Sequence, residues 1–72
     1  MELTWARRQR QDFIRARLEA AGHINRRDLA EKFSVSIQTA TADLNLYREL
    51  VGGIAYNASL KRFEAATSEA ST

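Results

Sequence analysis

NRRDLAEKFSVSIQTATADLNLYREL, residues 25–50, decides the fold. It holds two helix starts of one form: an apolar residue, a capping side chain, then the helix. At the first, Ile24 stands at N′, Asn25 at N-cap, Asp28 at N3 and Leu29 at N4. An Asn at N-cap satisfies a backbone N–H that the first turn leaves unpaired. Ile24 and Leu29 make a hydrophobic staple, and Asp28 is a shorter version of the capping-box acid. At the second start Val35 is N′, Ser36 is N-cap and Ala40 is N4. The spacing predicts a short helix over 26–33, a tight turn, and a longer helix over 37–50 that the Gly52-Gly53 pair ends.

A helix turns by about 100° per residue. Ala40, Leu44, Tyr47 and Val51 therefore share one face of the longer helix, the expected core face. Gln38, Thr41, Ala42, Asn45 and Glu49 fall opposite, with Arg48 at the edge. Leu46 and Leu50 form a third, apolar edge, suited to helix 1 or another subunit. In the shorter helix Leu29, Ala30 and Phe33 are the expected buried edge.

Working outward, residues 3–21 contain no Pro or Gly and are rich in helix formers. Thr4 can cap the start, and Gly22 follows as the C′ residue. Ile14, Leu18 and Ala21 form an apolar stripe that Phe13 widens, while the first two turns lack apolar residues beyond Trp5 and Ala6. Those turns are expected to be solvated or to face DNA or a partner chain. His23 and Ile24 read as a short extended connection. After the glycines, Ile54 and Tyr56 alternate as in a strand, Asn57 to Ser59 suit a turn, and 61–65 suit a return strand with Phe63 inward. So small a hairpin must lean on the helices. The folded domain is expected over 1–65, and the small polar tail 66–72 is expected to be disordered.

Composition narrows the function. Seventy-two residues make one small domain. Without Cys and with a single His, no disulfide, metal site or other cofactor is expected. No apolar run reaches the roughly 20 residues of a membrane span, so a cytoplasmic protein is expected. Nothing resembles a nucleophile–base pair or a phosphate-binding glycine loop, so no enzyme is expected. The net charge is +2, but arginines cluster at 7, 8, 10, 15 and 17 and again at 26 and 27, with Lys61 and Arg62 near the end. Guanidinium groups make planar, bidentate contacts to phosphates and base edges.

Three helices followed by a hairpin outline a mainly α fold, a winged helix-turn-helix with a two-stranded wing. Residues 24–44 resemble the helix-turn-helix of DeoR-type repressors through Arg26, Leu29-Ala30, Phe33, Val35-Ser36, Thr39 and Asp43-Leu44. The chain more closely resembles the N-terminal domain of WYL-domain transcription regulators, especially the BrxR-like ones encoded beside phage-defence systems. The matching runs are WARRQR at 5–10, INR-x-DLA at 24–30, DL-x-x-Y-x-E-L at 43–50 and KR-aromatic at 61–63. The likeness spans about 5–65. Thr41 and Ala42 stand where DeoR-type helices carry two basic residues, which removes two contacts. The WYL ligand-sensing part is absent, as in an excised domain or a short stand-alone regulator.

The resemblance implies a repressor that binds double-stranded DNA as a homodimer on an inverted repeat, with helix 1 and Trp5 in the dimer contact. The implied interface is Arg8, Arg26, Arg27, Ser36, Gln38, Thr39, Thr41, Ala42, Asn45, Arg48, Lys61 and Arg62. Plainer roles stand beside it. Asn25 and Ser36 are helix caps, Asp43 suits an internal ion pair, His23 is a connector, and the helix 1 arginines equally suit solvent, phosphate or a dimer contact. The competing function is a winged-helix module that binds protein through Leu46 and Leu50.

Overall fold

Both helix starts form as the spacing predicts. A computed structural model describes residues 4–65, so the tail 66–72 and Leu3 lie outside the described residues. The element order is α1 (Trp5–Ala21), β1 (His23–Ile24), α2 (Arg26–Phe33), α3 (Ile37–Leu50), β2 (Ile54–Asn57) and β3 (Arg62–Ala65). Thr4 caps α1 through the Arg7 N–H, Asn25 caps α2 through the Asp28 N–H, and Ser36 caps α3 through the Thr39 N–H. Asp28 does not complete a capping box. Its carboxylate accepts from Arg17 of α1 at 3.5 Å and so ties the start of α2 to α1.

The core lies where α1, α2, α3 and the strands meet. Ile14, Ile24, Leu29 and Leu44 are fully buried, joined by Leu18, Ala30, Ala40, Tyr47, Ile54 and Phe63. Each fully buried Ile or Leu contributes about 1.5–3 kcal/mol, which matters in so small a domain. Phe33 is half-buried and meets Phe13 edge-on, with ring centroids 5.5 Å apart.

Three expectations change. The sheet has three strands, in the order β1-β3-β2, all antiparallel. The His23–Ile24 connection pairs with β3, His23 opposite Glu64 and Ile24 opposite Phe63, and the Ala65 N–H donates to the Gly22 carbonyl at 2.9 Å. The link between the first two helices thereby anchors the wing to the helical body. Two residues carry no period-2 signal, so this pairing is invisible in the sequence. Second, Ala21 is exposed, and Gln11 takes a place in the interior. Third, Val51 is 64% exposed. It is the C-cap of α3, at the end of the helix, and directly after it Gly52 and Gly53 (φ +80° and +75°) turn the chain.

Asp43 is the buried charge of the described residues, with no exposed surface. Its carboxylate accepts from Arg7 Nε at 2.8 Å and from Arg10 Nε, and its main-chain carbonyl accepts from Gln11 Nε2 at 2.8 Å. This is the internal ion pair that suits Asp43, and it is double. It fixes α3 against α1 and takes two helix 1 arginines out of any phosphate-binding role in this arrangement.

Candidate nucleic-acid interface

Three elements bring the candidate residues together. The outward face of α3 presents Gln38 and Ala42 exposed, with Thr41 and Asn45 partly so. The start of α2 presents Arg26 and Arg27, both exposed. The wing, β2 and β3 with the turn between them, projects beside them. A hollow of about 280 Å³ between α3 and the wing is lined by Arg26, Thr41, Asn45, Arg48, Tyr56 and Phe63. A second of similar size, between the start of α2 and the wing tip, is lined by Asn25, Arg26, Arg27, Leu60 and Lys61. Arg26 belongs to both, so the surface is continuous from α3 to the wing tip.

Electrostatics set this surface apart. Among the described residues Arg26, Arg27, Arg48 and Lys61 have no carboxylate within ion-pair distance, as is also true of Arg8 and Lys32 elsewhere, whereas Arg7, Arg10, Arg15, Arg17 and Arg62 each do. An unpaired guanidinium keeps its donors free for an anion. Arg26 and Arg27 also sit at a helix N-terminus, where their charge opposes the dipole and a phosphate would relieve both.

Hydroxyls and amides on α3 divide into occupied and free. Ser36 and Thr39 are taken up by the cap: Ser36 Oγ accepts from the Thr39 N–H and donates to Thr39 Oγ1, each at 3.0 Å. Thr41 Oγ1 donates to the Ile37 carbonyl at 2.8 Å, which occupies its hydroxyl proton. Asn45 Oδ1 accepts from Arg48 Nη2 at 3.2 Å, so the Asn45 amide donors stay free. Gln38 has no side-chain partner among the described residues, and Ala42 offers a bare methyl. Amide side chains read adenine edges, and small apolar groups read the thymine methyl.

Two candidates stand apart. Arg8 lines a different groove, with Gln11, Asp12, Arg15, Tyr47, Leu50 and Val51, and is not among the linings of the α3–wing hollows. Arg62 is held by Glu64, its Nε donating at 2.8 Å, so Lys61 is the free cation of the wing. Glu64 also accepts from Asn57 Nδ2 at 3.2 Å. The Arg62 bond first, and then the Asn57 bond, hold the Glu64 carboxyl below the usual carboxylate range.

Sequence reasoning missed Tyr56 and Leu60. Ile54 and Tyr56 share a strand face, as the alternation requires, and Tyr56 packs on Phe63 with ring centroids 5.1 Å apart. The hairpin outruns the helices, however, so Ile54 is buried and Tyr56 is 42% exposed beside α3. Leu60 is exposed at the wing tip. The turn there is pinned by Asn57 Oδ1, which accepts from the Leu60 N–H at 3.0 Å, and Lys61 takes a left-handed conformation (φ +56°). An aromatic immediately before an Asn-led turn is the signal that points to Tyr56.

No helix among the described residues is long and apolar enough to cross a membrane. Residues 6–70 match the family described as the BrxR transcriptional regulator winged helix-turn-helix domain. The chain is also 38% identical over 68 residues to a DNA-binding transcriptional repressor, CapW, of Stenotrophomonas maltophilia. That alignment covers 94% of this chain and 23% of the relative, so the chain spans about a quarter of that protein's length.

Proposed function

Because the chain belongs to the winged helix-turn-helix domain family of BrxR transcriptional regulators, we propose that it binds double-stranded DNA sequence-specifically and represses by occupying its site. The observation that carries this reading is the convergence of four cations without acid partners, Arg26, Arg27, Arg48 and Lys61, around the outward face of α3.

An α-helix fits the major groove, and its outward side chains reach base edges. Gln38 and Asn45 act as hydrogen-bonding readers, with Ala42 and the Thr41 methyl against thymine. Arg26, Arg27 and Lys61 hold phosphates on the flank, Arg48 reaches the backbone beside Asn45, and Tyr56 packs against sugar. Ser36 and Thr39 organise the helix end that approaches the backbone. Arg8 and Arg62 are secondary phosphate contacts, Arg62 only after leaving Glu64.

One module of this size binds weakly, so two copies sit on an inverted repeat, whose symmetry a homodimer matches. The role is regulatory and cytoplasmic, without catalysis, and in a longer protein a ligand-sensing WYL part would control occupancy, in phage defence by resemblance.

The test is selection of bound sequences from random double-stranded DNA by the purified chain at stated salt. Enrichment of one motif, weakened by about 1–3 kcal/mol on that motif by Asn45→Ala or Gln38→Ala with random DNA unaffected, is expected. No enrichment would move the function to protein contact through the Leu46 and Leu50 edge.

A further inference from the structure

The apolar contacts that seat α3 are not directional. Ala40, Leu44 and Tyr47 are buried, and the hydrophobic effect that buries them depends on area removed from water rather than on direction. Asp43 is different. It is gripped at two points from α1, by Arg7 and, one turn later, by the adjacent Arg10 and Gln11. Arg7 and Arg10 hold the side-chain carboxylate, and Gln11 holds the main-chain carbonyl. A grip on the side chain alone sets a distance. A grip on side chain and carbonyl of the same residue also sets the roll.

That roll matters on the other side of the helix. Asn45 follows Asp43 by two residues, about 200° around the helix, so it points nearly opposite. Side-chain tips lie about 5–6 Å from the helix axis, so a roll of about 20° moves them by about 2 Å. Hydrogen bonds to base edges tolerate only a few tenths of an ångström. The flanking cations Arg26, Arg27 and Lys61 stand on α2 and the wing, and such a roll does not move them.

Resting on the DNA reading above, we propose that Asp43 is a positioning residue for sequence discrimination. Held by Arg7, Arg10 and Gln11, it sets the angle at which α3 presents Gln38 and Asn45, while general affinity for DNA comes mainly from the cations of α2 and the wing.

The experiment uses two variants of the full chain. Asp43→Asn keeps shape and removes the carboxylate. The triple variant Arg7→Met, Asp43→Leu, Arg10→Met replaces the buried ion cluster by apolar side chains, a change that is often neutral or stabilising. Affinities are measured for the wild-type-selected motif and for random DNA of equal length, at one salt concentration and a temperature where circular dichroism shows every protein folded. The readout is the ratio of the two dissociation constants. It is expected to fall about tenfold in both variants, the scale of one lost base contact, with Asp43→Asn binding random DNA as the wild type does. A ratio kept at the wild-type value, including a parallel loss on both DNAs, makes the cluster merely structural and overturns the proposal. A wild-type chain that prefers no sequence overturns the DNA reading itself, and the positioning role with it.

Discussion

Helix α1 and the surface formed by α2, α3 and the wing are both rich in arginine, yet they use it in opposite ways. On α1, Arg7 and Arg10 turn inward to Asp43, Arg15 pairs with Glu19 at 3.4 Å, and Arg17 reaches Asp28 at 3.5 Å, which leaves Arg8 as the α1 arginine without an acid partner among the described residues. Around α3, Arg26, Arg27, Arg48 and Lys61 face solvent with no acid beside them among the described residues. The same residue type is mostly an internal tie in one region and stands without an acid partner in the other. What separates the two is the position of the carboxylates, and only the fold brings most of those carboxylates near.

The comparison breaks most readily at Asp43. Replacing Asp43 by Ala leaves Arg10, whose side chain is 13% exposed, and Arg7 without their counter-ion. Breaking a buried pair in this way costs about 3–5 kcal/mol, most of the stability of a domain this small. Thermal denaturation should show Asp43→Ala melting about 12–40 °C below the parent. Arg15→Ala, from an exposed i,i+4 pair on the same helix, should stay within about 0.5 kcal/mol of the parent. Equal effects of the two changes would remove the distinction between the inward and outward arginines of α1.

A smaller effect tests the other region. Arg26→Ala and Lys61→Ala should each lower the slope of log K against log salt by about 0.9, equally on cognate and random DNA. Arg62→Ala should change that slope less, because Glu64 already occupies its guanidinium. A slope for Arg62→Ala as large as for Lys61→Ala would show that the Arg62–Glu64 pair opens on DNA.

The smallest effect concerns that pair and pH. Glu64 is held below the usual carboxylate range by Arg62 and Asn57. A depressed carboxyl stabilises the folded state above its unfolded pKa, and that contribution disappears as pH falls through the lower folded value. Melting curves of the parent and of Glu64→Gln should therefore differ near neutral pH and converge on acidification. A gap that stays constant down to strongly acid pH would show that the pair does not titrate with folding.

Much of this was legible in the sequence. Asn25 and Ser36 announce two helix starts because a cap is a local interaction, decided within three or four residues. The faces of α3 follow from helical geometry, so Gln38, Ala42 and Asn45 could be placed outward before any neighbour was known. Asp43 also looked like an internal pairing residue, since a carboxylate on a DNA-facing helix would be repelled by phosphate. Its partners, 33 and 36 residues earlier, carry no local signal. Val51 shows the opposite failure: it continues the apolar period, but the helix stops one residue short of it.

The sequence by itself determined the order of elements, the helix boundaries near the caps and glycines, and the outward face of α3, because each depends on neighbours within about one turn. Tertiary structure alone decided that His23 and Ile24 become a third strand, that Tyr56 stands beside the outward face of α3, and which arginines lack an acid partner among the described residues. Strand pairing and ion pairing between distant residues are set by where the packed core places them, and no local pattern encodes that placement.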